Sequence, residues 1–232
     1  MCIFKIPFIV ASLIGEHVAY TAPVPPAVEH KKKFENVPIS MLSPCVKVIF
    51  WALALIELIT ILANTRAAHA FPVSQKILII LFHTGNANML RITPHAALGT
   101  LLIVSGAAIR AACYRKMGKL FTFDLSIQKQ HKLVTSGLYG IVRHPSYTGS
   151  LMVTGGTCLF HLSSGSLLRE STLSDTEFGR LCIVFAVAFT LFPLPVVGYR
   201  MQLEDNALRS EFGRDWDNWA KEVPYRLIPG VY

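Results

Sequence analysis

Residues Val46–Asn64 read VKVIFWALALIELITILAN, and this run decides the solvent in which the chain folds. Its 19 residues, at a helical rise of 1.5 Å each, reach about 28 Å, close to the thickness of bilayer hydrocarbon. The only charges in it are Lys47, which can snorkel from the edge, and Glu57. A carboxylate at that depth is costly against lipid, so Glu57 is expected to face neighbouring helices as an interior packing residue. A second span follows over His95–Cys113, HAALGTLLIVSGAAIRAAC, studded with Gly99, Ser105 and Gly106, small residues that let helices approach closely in lipid. Thr148–Leu168 is a third and Leu181–Val197 a fourth, the latter broken near its end by Pro193 and Pro195, which predicts a kink.

The rest of the chain fits between these runs. Of its 232 residues 52% are hydrophobic and 16% charged, with a mean hydropathy of +0.46, against about 25% charged in ordinary soluble domains. From Lys5 an apolar stretch runs to Ile14, followed by Glu16 and His17 with no clean small-x-small cleavage site, which reads as a weak first span or signal anchor. Residues 23 to 44, with Pro23, Pro25, Pro26, Lys31 to Lys33 and Pro38, read as a connecting loop. Lys76–Phe82, between Pro72 and the pair His83 and Gly85, is too short to cross and reads as interfacial or re-entrant. The expected organisation is therefore 1–45, the first segment and its Pro/Lys-rich loop; 46–94, a span and an interfacial segment; and 95–232, where the polar chemistry is concentrated.

Charge gives the orientation. The loop 110–145 carries Arg110, Arg115, Lys116, Lys119, Lys129, Lys132 and Arg143 against Asp124, and should be cytosolic. The loop 169–180 carries Arg169 and Arg180 against Glu170, Asp175 and Glu177, which suits the opposite side, and the C-terminal tail then returns to the cytosol. Counted backwards, Lys31 to Lys33 fall on the cytosolic side as well. The net charge of +8 thus belongs to loops facing anionic lipid and not to a nucleic-acid surface. Cys2, Cys45, Cys113, Cys158 and Cys182 are too scattered for a zinc site or a disulfide framework.

Two cytosolic segments bracket the last two spans. The first is His131-Lys132-Leu133-Val134-Thr135-Ser136-Gly137-Leu138-Tyr139-Gly140-Ile141-Val142-Arg143-His144-Pro145-Ser146-Tyr147-Thr148-Gly149. Gly137 and Gly140 let the backbone turn closely round a ligand, and Pro145 suits the first turn of a helix whose free N–H groups can meet an anion. The plain alternative is that Arg143, His144 and Tyr147 anchor a helix end at the headgroups. The second segment holds Arg200-Met201-Gln202-Leu203-Glu204-Asp205, then Phe212-Gly213 and Val223-Pro224-Tyr225-Arg226. Arg200 and Glu204, four apart, share one helix face, where they form either a simple ion pair or the two halves of a ligand mouth.

The Gly-x-Tyr-x-x-x-Arg-His-Pro-Ser-Tyr-x-Gly run, its His131–Val134 lead-in, and Arg200-x-x-x-Glu204-Asp205 followed by Phe212-Gly213 together resemble the isoprenylcysteine carboxyl methyltransferase family, over roughly residues 95 to 232. The Arg-His-Pro element alone is shared with membrane phospholipid methyltransferases and, more loosely, with sterol reductases. The resemblance implies an all-α, polytopic transmembrane helical bundle of about five spans with a cofactor pocket at its cytosolic face. It implies S-adenosyl-L-methionine as cofactor, lined by His131, Lys132, Leu133, Val134, Tyr139, His144, Pro145, Ser146, Tyr147 and Glu204. It also implies Arg200 as the clamp on the substrate carboxylate, with Arg200 and Glu204 as the catalytic pair. C-terminally prenylated proteins would be the partners, in the endoplasmic reticulum membrane. Asp205 departs from the family, which more often has glutamate there, and is left without a role. Trp216, Trp219 and Tyr225 read as packing under the last helix, and Arg209, Arg214, Lys221 and Arg226 as a solvated or lipid-facing surface. His161 reads as a satisfied interior residue. Phospholipid amine methylation, a nicotinamide-dependent membrane reductase and a helical membrane adaptor are the rival readings.

Overall fold

The computed structural model describes residues 2–21, 30–33, 42–82, 87–123, 126–128 and 131–231. Pro23, Pro25, Pro26, Pro38, His83, Gly85, Asp124 and Lys129 lie outside the described residues. In chain order the helices are α1 (Ile6–Ala19), α2 (Leu42–Ala63), α3 (Pro72–Leu81), α4 (Pro94–Met117), α5 (Pro145–Leu162), the single turn α6 (Leu167–Glu170), α7 (Glu177–Leu191), α8 (Pro193–Phe212) and α9 (Arg214–Glu222). The all-α class is borne out. Its one addition is a short antiparallel ribbon of β1 (His30–Lys33) and β2 (Ser126–Gln128), which lies within two stretches read as loops. The ribbon brings those two connections to the same end of the bundle, as the charge count requires.

Among the described residues three helical stretches are long and apolar enough to cross a membrane, Ser43–Ala63, Pro94–Leu120 and Pro145–Glu170. This protein is a membrane protein. Its outer faces agree: α2 exposes Val48, Leu55, Ile59 and Leu62, and α7 exposes Phe178, Leu181, Val184 and Phe185, surfaces suited to hydrocarbon and not to water. The fourth expected span is divided at Phe192 into α7 and α8, because Pro193 has no N–H to continue the α7 ladder. α3, with 10 residues, is too short to cross, as read.

The centre of the bundle is α4 against α5. α4 begins where the Thr93 hydroxyl accepts from the Ala96 N–H with Pro94 in the first turn, and ends at Gly118 with φ of +54°. A Cβ on Gly99 would sit 2.7 Å from the Gly156 carbonyl oxygen, and one on Gly106 would sit 2.6 Å from that of Gly149. The small residues of α4 are therefore consumed inside the chain, by close contact with α5.

α1 is not a peripheral leader. It packs on α4, α2 and α5 and turns its polar groups inward: Ser12 is hydrogen-bonded to Thr100 at 3.0 Å, and Glu16 accepts from Thr157 at 2.8 Å. Lys5, just ahead of α1, is fully buried, donates to the Gly165 carbonyl at 2.7 Å and is ion-paired with Glu57. Glu57 thus faces the interior as expected, with a cation that local sequence could not reveal. His161 is interior too, stacked on Phe50 and with Nε2 3.8 Å from Glu16.

Removing one member of a buried pair strands the other charge, at about 3–5 kcal/mol. Lys5→Met should therefore lower the unfolding midpoint in detergent sharply, and the double variant Lys5→Met/Glu57→Leu should regain most of the loss in the same melt.

Candidate active site

The polar half of the chain is assembled from several separate segments. Residues 131–135 have no regular secondary structure, Gly137–Gly140 form a tight 3-10 turn with Gly137 at φ +71°, and Pro145 opens α5. The C-terminal segment lies across this region as a strap: Arg143 N–H donates to the Tyr225 carbonyl and His144 N–H to that of Arg226, both at 2.9 Å, while the Thr148 hydroxyl donates to the Leu227 carbonyl at 2.8 Å. α9 closes the end. Its Trp216 and Trp219 are buried, and Trp219 Nε1 donates to the Tyr139 carbonyl at 3.1 Å, so the packing reading of the tryptophans holds.

These segments and the membrane helices enclose a cavity of about 230 Å³, somewhat below the usual range for ligand pockets. His131, Lys132, Leu133, Val134, Tyr139, His144, Ser146, Tyr147, Arg200 and Glu204 all line it. Of the residues named from sequence, Pro145 is the exception: it is buried at the helix start, where it fixes the entry of α5. Leu120, Phe121, Phe192, Val196 and Val197 supply an apolar wall continuous with the membrane helices.

Arg200, 6% exposed, directs Nη2 to the Phe123 carbonyl at 2.7 Å and Nε to the Tyr147 hydroxyl at 3.3 Å. His144 is held between consecutive carboxylates of α8: Nε2 is 3.0 Å from Asp205 Oδ1, and Nδ1 is 3.7 Å from Glu204 Oε2. Facing a carboxylate, Nε2 carries the proton. Asp205, 2% exposed, also meets Arg143 Nη1 at 3.2 Å and Arg226 Nε at 3.4 Å. The residue left without a role is thus a hub, and Arg226, read as surface, is one of its partners. Glu204 keeps 29% of its side chain exposed. Burial holds the Tyr139 hydroxyl in its neutral form, well above the ordinary range, with Cys113 and Glu204 adding to the effect; it donates to Met117 Sδ at 2.9 Å. Burial likewise lowers the pKa of His131, against a smaller opposing pull from Glu204 and Glu211. His131 Nδ1 is buried with no hydrogen-bond partner among the described residues.

Sequence reasoning missed Arg110. It was counted with the basic loop, yet α4 runs on to Met117 and buries it within the span. Its Nε donates to the Ala19 carbonyl and the Tyr114 hydroxyl, both at 2.8 Å, and Nη1 reaches Ser146 and Ser150 of α5. The available signal was a guanidinium inside an otherwise apolar helix, a position that calls for an interior partner. Tyr20, Ser43 and Thr154 join it on the cavity wall.

Residues 94–171 match the phospholipid methyltransferase family. Protein-S-isoprenylcysteine O-methyltransferase B of Arabidopsis thaliana is 30% identical over 129 residues, 54% of this chain and 55% of that protein. A probable protein-S-isoprenylcysteine O-methyltransferase of Oryza sativa subsp. indica is 31% identical over 127 residues, 54% of this chain and 56% of that protein. A 7-dehydrocholesterol reductase of Xenopus laevis is 30% identical over 106 residues, 45% of this chain but 19% of that protein. The chain spans about half the length of the methyltransferases it matches. No solved structure matches it. The resemblance read from the motifs is borne out: the chain carries an isoprenylcysteine methyltransferase-like domain of the phospholipid methyltransferase family. Arg200 and Glu204 lie beyond the residues that the family model covers.

Two outcomes follow from this geometry. Asp205→Ala should lower stability by about 3–5 kcal/mol by stranding buried cations, whereas Glu204→Gln, partly exposed, should change it by less than about 1 kcal/mol; thermal unfolding of the two variants side by side checks this. Because the folded-state pKa of His131 lies below its ordinary value of about 6.5, the unfolded chain takes up the proton first as pH falls. The contribution of His131 to stability is therefore full above that value and lost below it. Between pH 7.5 and 5 the wild-type melting temperature should fall more steeply than that of His131→Gln.

Proposed function

We propose that the chain is an S-adenosyl-L-methionine-dependent methyltransferase that esterifies the C-terminal carboxylate of prenylated cysteine, working from the cytosolic face of the endoplasmic reticulum membrane. The observation that carries the reading is one cavity lined both by Arg200 and Glu204 and by the apolar side chains of Phe192, Val196 and Val197. The names of its plant relatives support the same substrate.

The residues present suit the cofactor: Glu204 offers an acceptor for an amine or ribose hydroxyls, His131 Nδ1 is a buried polar atom awaiting a partner, and Leu133 and Val134 give apolar flanks. When bound, that group supplies a methyl on a positively charged sulfur. A peptide α-carboxylate, with a pKa of about 3.5, is already ionised at neutral pH, so the chain needs no general base. Its task is to hold an oxygen in line with the methyl carbon and keep water out. Arg200, fixed by Tyr147 and the Phe123 carbonyl, is suited to clamp the carboxylate through two parallel N–H donors. His144, braced by Asp205, keeps the start of α5 against α8 so that both sides of the mouth stay in register. The lipid tail then remains in hydrocarbon while its polar end reaches the mouth.

The likeness to a named sterol reductase favours one rival, reduction with a nicotinamide cofactor. Ligand-induced thermal shift separates the two: S-adenosylmethionine should stabilise the protein, and stabilisation by NADPH alone sinks the methyltransferase reading. Membranes containing the chain should transfer labelled methyl from S-adenosylmethionine to N-acetyl-farnesylcysteine. Arg200→Ala should cut that transfer at least about 100-fold, the loss of two charge-assisted hydrogen bonds, while cofactor binding survives. Full activity in that variant removes the carboxylate clamp.

A further inference from the structure

Arg110 is 8% exposed and lies on a membrane-spanning helix, yet among the described residues no carboxylate lies within ion-pair distance of it. An uncompensated guanidinium in such a place is costly, and the cost falls when an anion is bound. The side chain is also rigidly aimed. Its plane lies near the rings of Tyr114 and Phe123, at 5.3 and 5.5 Å. One edge is used on the Ala19 carbonyl and Tyr114, and Nη1 is used on Ser146 and Ser150. Nη2 has no hydrogen-bond partner among the described residues, and the residue lines the cavity. Five N–H donors held in a fork with one nitrogen unspent make an oxyanion site. Its neighbours agree, because Arg110 and Arg200 both bear on Phe123 and on the first turn of α5, Arg110 through Ser146 and Arg200 through Tyr147.

We propose that Arg110 is a second anion-binding residue of the cavity, taking through Nη2 a carboxylate of the bound reactants. Two reactants carry such a group, the methionyl end of the cofactor and the prenylcysteine. This assignment of the ligand rests on the methyltransferase reading, whereas the oxyanion site itself does not.

The test compares anionic and neutral partners on the full chain in detergent micelles by thermal shift and titration. The pairs are S-adenosylmethionine against its decarboxylated form, N-acetyl-farnesylcysteine against its carboxamide, and phosphatidic acid against diacylglycerol. In an Arg200→Ala background, which takes away the carboxylate clamp already assigned, the chain should bind the anionic member of one of the first two pairs at least tenfold more tightly, and the pair that discriminates identifies the source. Arg110→Gln should abolish that preference and leave the neutral partner's affinity within about twofold; Arg110→Lys should restore part of it. Since Arg110 also ties α1 to α4, Ser150→Asp serves as a variant that keeps the arginine and supplies an internal carboxylate. It should fold at least as stably as wild type and lose the same preference. Equal affinity within every pair in the Arg200→Ala background, or a preference that persists there when Ser150→Asp is added, overturns the proposal. Discrimination confined to the phospholipid pair and lost in the variants upholds the oxyanion site but removes its assignment to a reactant of methyl transfer; the methyltransferase reading itself stands or falls on the S-adenosylmethionine against NADPH comparison.

Discussion

At Gly99 against Gly156, and again at Gly106 against Gly149, the backbones of α4 and α5 come so close that a methyl group on any of the four would sit 2.6–2.7 Å from a facing carbonyl oxygen. The contacts are seven residues apart on each helix, about two turns, so both fall on one stripe and fix an antiparallel register. One further turn along α4 is Arg110, and one turn back along α5 is Ser146, which the register sets against each other. The start of α5, with His144, Ser146 and Tyr147, is thereby positioned relative to the membrane interior by backbone contact and not by loop conformation. A site that must hold two reactants within tenths of an ångström needs a rigid base of this sort.

Lipid also explains why the interior is so polar. In water a surface helix hides its apolar face and exposes its charged one; between lipid and protein the gain lies in hiding the polar atoms. Ser12, Glu16 and the Ala19 carbonyl of α1 all meet partners on α4 or α5, while Ile14 points outward and is exposed. α1 therefore has the composition of a poor span and the position of a central helix, packed on α4, α2 and α5. Lys5 and Glu57 extend the same logic, joining the start of α1 to α2 and, through Gly165, to the end of α5.

What could be read from sequence was whatever is local. Apolar runs of bilayer length gave α2, α4 and α5 their places, the prolines marked the break between α7 and α8, and the motif at 131–149 named nine residues, eight of which line one cavity. What could not be read depends on pairing over long separations. The fate of Lys5 depends on Glu57, that of Arg110 on Ser146 and Ser150, and that of Arg226 on Asp205, and no periodicity within a helix encodes such partners. Arg110 was further obscured by its neighbours, because Arg115 and Lys116 made the end of α4 look like the start of a loop.

Asp205 shows how a departure from a familiar pattern can be explained by geometry. Consecutive residues on a helix point about 100° apart, so two adjacent carboxylates on α8 cannot both face the cavity. They grip His144 from two sides, Asp205 at Nε2 from behind and Glu204 toward Nδ1 from the open side. A short side chain suits the rear position, where the carboxylate must stay within reach of Arg143 and Arg226 as well, and a longer one suits the front, where it must extend toward a ligand. The strap of residues 223–228 closes over the same point through the Arg143 and His144 backbone. Asp205 is therefore where the start of α5, the body of α8 and the chain's final segment are joined, and the shape of the mouth follows from that junction.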